Sequence, residues 1–202
     1  MSLGPDIKEV LQEVGTSITI LRSPVNITGE YIKTKINAQV TKPFIREFFL
    51  EVTLANDTQV VAGDTLLLAD GRYFIVMNMT PVLFENEVYC FSAVFYKCNA
   101  VGIIKRRQEL RIKYKQHIAW PNIATDCHAL LTESYYGNKL DEDERVGPVS
   151  LNSIDCYLPH SKGAQKGDRF WISSTEYYQV EHIFIRRFDN VDLAILGEDT
   201  RE

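Results

Sequence analysis

The sequence has no apolar run approaching the ~20 residues that cross a bilayer as a helix, and no basic segment followed by an apolar one at its start. A soluble chain that stays inside the cell that makes it is therefore expected. It has no C-x-x-C pair: its four cysteines, Cys90, Cys98, Cys127 and Cys156, are scattered, and a chain of this size buries a core without disulfide staples. Free thiols in a reducing compartment follow. No charge of one sign dominates. The net charge is −5, with 8 basic against 11 acidic residues in 1–98 and 14 against 16 in the remainder. Neither half is a basic module built to grip phosphates, and tight nucleic-acid binding is not expected. Also missing are a G-x-S-x-G elbow, a G-x-x-x-x-G-K-[ST] loop and a G-x-G-x-x-G turn. No catalytic residue, cofactor site or metal site is assigned, and the chain reads as non-enzymatic.

What is present is globular. At 202 residues, 45% hydrophobic and 24% charged, the chain has room for one large domain or two small ones. Residues 1–4 read as a flexible end. Pro5 and Asp6 suit a helix start, Ile7, Val10, Leu11 and Val14 form one apolar stripe, and Gly15 supplies the stop. So short a helix must dock, on its own domain or on a neighbouring subunit. After Gly15 the period becomes two. Ser17–Ile20, Phe49–Leu54, Thr65–Ala69, Arg72–Val76 and Val88–Cys98 read as strands. Asp70-Gly71 is expected to form a type I′ hairpin turn, and Phe84–Glu87 a second turn.

The layout then repeats. An ungapped offset of 104 places Leu54 on Leu158, Gly63-Asp64 on Gly167-Asp168, Tyr73 on Tyr177, Val76 on Val180, Phe84 on Phe188 and Asn86 on Asn190. That is seven identities over residues 51–92, where composition alone gives roughly two or three. The expected fold is mainly β: two tandem small antiparallel β-barrel or sandwich domains, 5–100 and 110–200, with a short N-terminal helix and a join at 100–109. In the second copy, Tyr114–Trp120 is expected as the early strand and Val149–Leu158 as the extended segment. Asp141, Glu142, Asp143 and Glu144 follow one another and cannot sit in a sheet interior, so they read as an exposed loop. Gly-Asp reads as a turn that launches a strand in both copies, rather than as paired catalytic acids.

Two other chemistries have a partial signal in the sequence. Cys127-His128 with Cys156 and His160 has a trace of metal spacing, which suggests a metal-dependent hydrolase. Adjacent Cys127 and His128 would, however, point to opposite faces of a strand. The basic stretch Lys105, Arg106, Arg107, Arg111, Lys113 and Lys115 would serve a nucleic-acid- or peptide-binding module, or simply a solvated linker.

Asp155–Leu158, Lys166–Arg169 and Glu176–Val180, with Val61–Asp64 and Arg72–Val76 in the first copy, form a sequence of extended segment, Gly-Asp, strand, turn and aromatic strand. This resembles the small β-barrel proteins of tailed-bacteriophage necks and tails. It is most similar to head-closure or head–tail connector proteins, those of defective prophages included. Here the barrel is in tandem, where such proteins usually hold one. The resemblance implies a structural protein of the virion, made in the bacterial host cytoplasm. It implies a ring of identical subunits, with other virion structural proteins as partners and no membrane. The working parts would be loops, Ser23–Asn37 and Leu131–Val146, and the helix. Candidate contact residues are Ile7, Val10, Leu11, Val14, Tyr135, Tyr136, Asp141, Glu142, Asp143 and Glu144.

Overall fold

Helix α1, Gly4–Val14, ends where the sequence places its stop: the Gly15 N–H bonds the Leu11 carbonyl at 2.9 Å. The computed structural model describes residues 4–35, 48–112, 114–133 and 154–201. Among them no helix is long and apolar enough to cross a membrane. Beyond α1 the described residues are mostly strand, in two compact units.

The first unit is a closed six-stranded antiparallel barrel. Its strands are β1 (Thr16–Leu21), β2 (Ile27–Lys35), β3 (Phe49–Ala55), β4 (Thr65–Leu68), β5 (Tyr73–Phe84) and β6 (Glu87–Lys97). They run in the order β1-β2-β3-β6-β5-β4. The apolar half of each period-two strand points inward, so Ile18, Ile20, Ile32, Val52, Leu54, Leu66, Phe74, Val76 and Phe95 make one core. Helix α1 packs against β1, β2, β3 and β6.

The second unit contains β7 (Ala100–Lys105), β8 (Gln108–Ile112), β9 (Lys115–Ala119), β10 (Asn122–Glu133), β11 (Ile154–Pro159), β12 (Arg169–Trp171), β13 (Tyr177–Phe188) and β14 (Val191–Glu198). Six of these close a barrel in the order β10-β11-β14-β13-β12-β7. Each strand of the first barrel has a counterpart with the same neighbours: β1 with β7, β2 with β10, β3 with β11, and β4, β5, β6 with β12, β13, β14. The tandem β-barrel expectation is met. The inward residues also correspond, Val52 with Cys156, Leu54 with Leu158, Leu66 with Phe170 and Val76 with Val180.

Several local expectations are corrected. The stretch 100–109 is not a join, because β7 lies in it and is the early strand of the second barrel. Tyr114–Trp120 instead contributes β9, which pairs with β8 in a separate two-stranded sheet inserted between β7 and β10. Ser23–Asn37 is not a free loop: β2 fills its centre and pairs with β1 and β3. The Asp70-Gly71 turn is not type I′. Only Gly71 takes positive φ (84°), the Gly71 N–H bonds Leu68 O at 2.9 Å, and the Leu68 N–H bonds Arg72 O at 3.0 Å. That is a three-residue loop with glycine in its left-handed position. The two positive φ values of a type I′ turn belong to Glu85 (49°) and Asn86 (67°), between β5 and β6.

The offset of 104 also fails in the last strand. The first core takes Ala93 and Phe95 from β6, whereas the second takes Ala194 and Leu196 from β14, which are of opposite parity under that offset. An odd change in strand register exchanges the two faces.

Packing compensates across the repeat. Ile18 on β1 corresponds to Gly102 on β7, and Leu66 to Phe170. A Cβ on Gly102 would lie 2.6 Å from the Phe170 ring. The larger ring takes the volume that Ile18 fills in the first barrel, which keeps the interior close-packed.

Candidate functional site

The Gly-Asp steps sit at the launch of β4 and β12, and the carboxylates they carry are structural. Asp64 accepts from Arg22 Nε at 2.9 Å and Nη2 at 2.7 Å, and from the Val61 N–H at 2.8 Å. Asp168 accepts from Arg106 Nε at 2.9 Å and Nη2 at 2.9 Å, and from the Gln165 N–H at 2.8 Å. Each arginine also donates to a loop carbonyl, Gln59 O from Arg22 and Gly163 O from Arg106. Both carboxylates are buried beneath half-buried arginines. The same two-pronged clasp thus ties the residue after β1 or β7 to the loop before β4 or β12 in each barrel. This bears out the turn reading of Gly-Asp. Pairing with the carboxylate raises the Arg22 and Arg106 pKa further.

The second barrel carries a cluster with no sequence signature. Asp199, its side chain fully buried, accepts from Arg169 Nε at 2.5 Å, from Arg201 Nε at 2.8 Å and from the Arg201 N–H at 3.1 Å. Burial pushes this carboxyl up, but the hydrogen bonds from Arg201 and Arg169 outweigh it and hold the pKa at about 2. Both guanidiniums lie over the Trp120 ring, 4.2 Å and 4.9 Å from its centroid, and Arg169 also faces Tyr177. Lys105 Nζ sits 3.1 Å from the Trp171 centroid. The basic stretch that suggested a nucleic-acid module is thus engaged at its start: Lys105 with Trp171, Arg106 with Asp168, and Arg107 with Glu109 at 3.2 Å.

The residues of the metal reading do not converge. Cys127 and Cys156 are buried in the second core. His160 lies on a short 3-10 turn, His160–Lys162, and its Nδ1 is 2.9 Å from Asp192 Oδ1. Among the described residues, no group of three or more His, Cys, Asp or Glu could hold a metal ion. Burial pushes the Cys127 thiol up and the Cys98 thiol to about 12, which keeps both as thiols of low reactivity.

The candidate contact residues of α1 divide. Leu11 is buried and carries the docking onto the helix's own barrel, and Ile7 is half-buried. Val10 and Val14, one turn apart, remain exposed. Beside them Lys8 pairs with Asp57. Tyr135, Tyr136, Asp141, Glu142, Asp143 and Glu144 lie outside the described residues. Of the expected loop Leu131–Val146 only Leu131, Thr132 and Glu133 are described, and they are not loop but the end of β10, paired with β11.

Further exposed apolar side chains stand on the two long hairpins. Leu83, Phe84 and Val88 flank the β5–β6 turn, and Phe184 and Ile185 lie on the far half of β13. Leu83-Phe84 and Ile183-Phe184-Ile185 break the alternation of apolar and polar residues. On a strand such a run must show an apolar side chain on each face, a signal that the period-two reading passes over. The chain matches no protein-family model, no curated protein and no solved structure.

Proposed function

We propose that this protein is a non-enzymatic structural component of a phage or prophage particle, a neck or tail element, that works by binding copies of itself and other particle proteins. The observation that carries the reading is the contrast between barrel and hairpin. Each barrel is closed and clasped by a half-buried arginine on a buried aspartate, while apolar side chains are presented to solvent on the hairpins and on α1. Leu83 is 60% exposed and Val14 66%. Rigid strands with exposed apolar tips suit assembly, because little conformational entropy is lost when such a surface is covered. Lys105, Arg106 and Arg107 are each engaged within the chain, with Trp171, Asp168 and Glu109. The resemblance of the repeated segment to head-closure and connector barrels supplies the setting, a virion assembled in a bacterial cytoplasm.

The test is compositional. Particles purified from a producing strain should contain this chain at a fixed ratio to the other structural proteins by quantitative mass spectrometry. Its absence from intact particles, with the chain abundant in the lysate, would remove the reading.

A further inference from the structure

The two barrels differ in how they treat one strand edge. In the first, β4 covers β5 over Tyr73–Ile75, and the Gly63-Asp64 loop extends the cover to Val76. In the second, β12 covers β13 over Tyr177–Gln179, and the Gly167-Asp168 loop extends it to Val180. Beyond these points both strands run on. On β13 the outer edge from Glu181 to Arg186 has no neighbouring strand among the described residues. An open edge is a template for another strand, and proteins commonly block it with proline. β5 does so with Pro81. At the equivalent position of β13 stands Ile185, 55% exposed, which unlike proline carries a backbone N–H. One copy of the repeat is closed to strand addition and the other is open.

The open edge also has a chemical character. Phe184 and Ile185 are exposed beside the exposed cations Arg186 and Arg187. The same chain carries a surface of complementary kind at the β5–β6 turn, where exposed Leu83, Phe84 and Val88 stand with exposed Glu85 and Glu87. There the outer edge of β6 has no neighbouring strand over Glu87–Tyr89 among the described residues, since β3 covers it only from Cys90 onward.

We infer that the β5–β6 tip of one copy docks by strand addition on the β13 edge of a second copy. The inference rests on the assembly reading above and names its contact. Apolar residues meet apolar residues, and Glu85 and Glu87 meet Arg186. The two surfaces are unlike, so the contact is heterologous and propagates from copy to copy, into a ring where the rotation between copies closes.

Sedimentation velocity of the full chain over a concentration series tests this. Ile185→Pro installs in β13 the block that β5 already tolerates. Leu83→Asp with Phe84→Asp spoils the tip on exposed positions. Far-UV circular dichroism checks that both variants keep the barrels. Wild type is expected to assemble and each variant alone to stay monomeric. An equimolar mixture of the two variants should give a complex of two chains and nothing larger, because each retains one intact surface. Arg186→Glu, a surface change that leaves the barrel alone, is expected to weaken assembly about tenfold. Glu87→Arg in the same chain should restore it. Wild type that stays monomeric throughout overturns self-docking, and its presence in purified particles would then preserve the assembly reading. Variants that assemble as wild type does, or a mixture that stays monomeric, overturn this interface alone.

Discussion

Asp199→Ala is expected to lower the stability of the second barrel by about 3–5 kcal/mol, because it leaves two largely buried guanidiniums facing each other without a counter-charge. The readout is already in the chain. Its two tryptophans, Trp120 and Trp171, both lie in the second unit, so tryptophan fluorescence during urea unfolding follows that barrel. The same carboxylate gives a pH signature. Its folded pKa is held at about 2, below the ~3.9 of an unfolded aspartate. A depressed carboxyl contributes stability that is fully present above the unfolded value and is lost as pH falls through the folded one. The tryptophan-monitored midpoint should therefore fall between about pH 4 and pH 2. In Asp199→Asn, starting from a lower midpoint, this part of the pH dependence should be absent. A wild-type midpoint flat across that window would separate Asp199 from the stability of the barrel.

The second large effect is expected at the clasp. Asp168→Ala strands Arg106 and frees the Gln165 N–H, a loss of about 2–3 kcal/mol, toward the lower end for a buried pair because the arginine is partly exposed. For a domain of this size that lowers its melting temperature by roughly 10–20 °C. Asp64→Ala should do the same to the first barrel, where hydrogen exchange of Phe74–Val76 amides reports the opening. Removing both partners, Arg106→Met with Asp168→Leu, should recover much of the loss, since no uncompensated charge then remains. An Asp168→Ala chain whose tryptophan-monitored midpoint matches wild type would remove the clasp from this account.

The duplicated core was legible because its inward residues recur at alternate positions in both copies and its turns align. Leu54, Val76, Leu158 and Val180 all point inward, where period two places them. The clasp was half legible. Asp64 and Asp168 share the offset of 104, but Arg22 and Arg106 are 84 residues apart. The 104 offset therefore hides the arginines that give both aspartates their role. The smaller offset reflects the β8–β9 hairpin inserted after Arg106, which the basic run Lys105–Lys115 disguised as linker. Strand β2 was missed because Ile32 is its only fully buried residue, too faint an alternation to read. The Asp199 cluster gives no local signal at all, since Trp120, Arg169 and Arg201 come together only once the second barrel has folded.

The exposed edge of β13 and the tip of β5–β6 were visible as adjacent apolar residues, but a strand edge exists only after its neighbours are known. The pairing of β12 with Tyr177–Gln179 alone is what leaves Glu181–Arg186 without a neighbouring strand among the described residues. That Pro81 closes one copy while Ile185 leaves the other open is a difference that a pure duplication would not carry. It fits two barrels with distinct roles in one assembly, one offering a tip and the other receiving it.

Electron microscopy of the concentrated wild-type chain tests the central claim most directly. Closed rings with a uniform number of copies are the predicted image. A field of single chains at the highest concentration the protein tolerates in solution would contradict it.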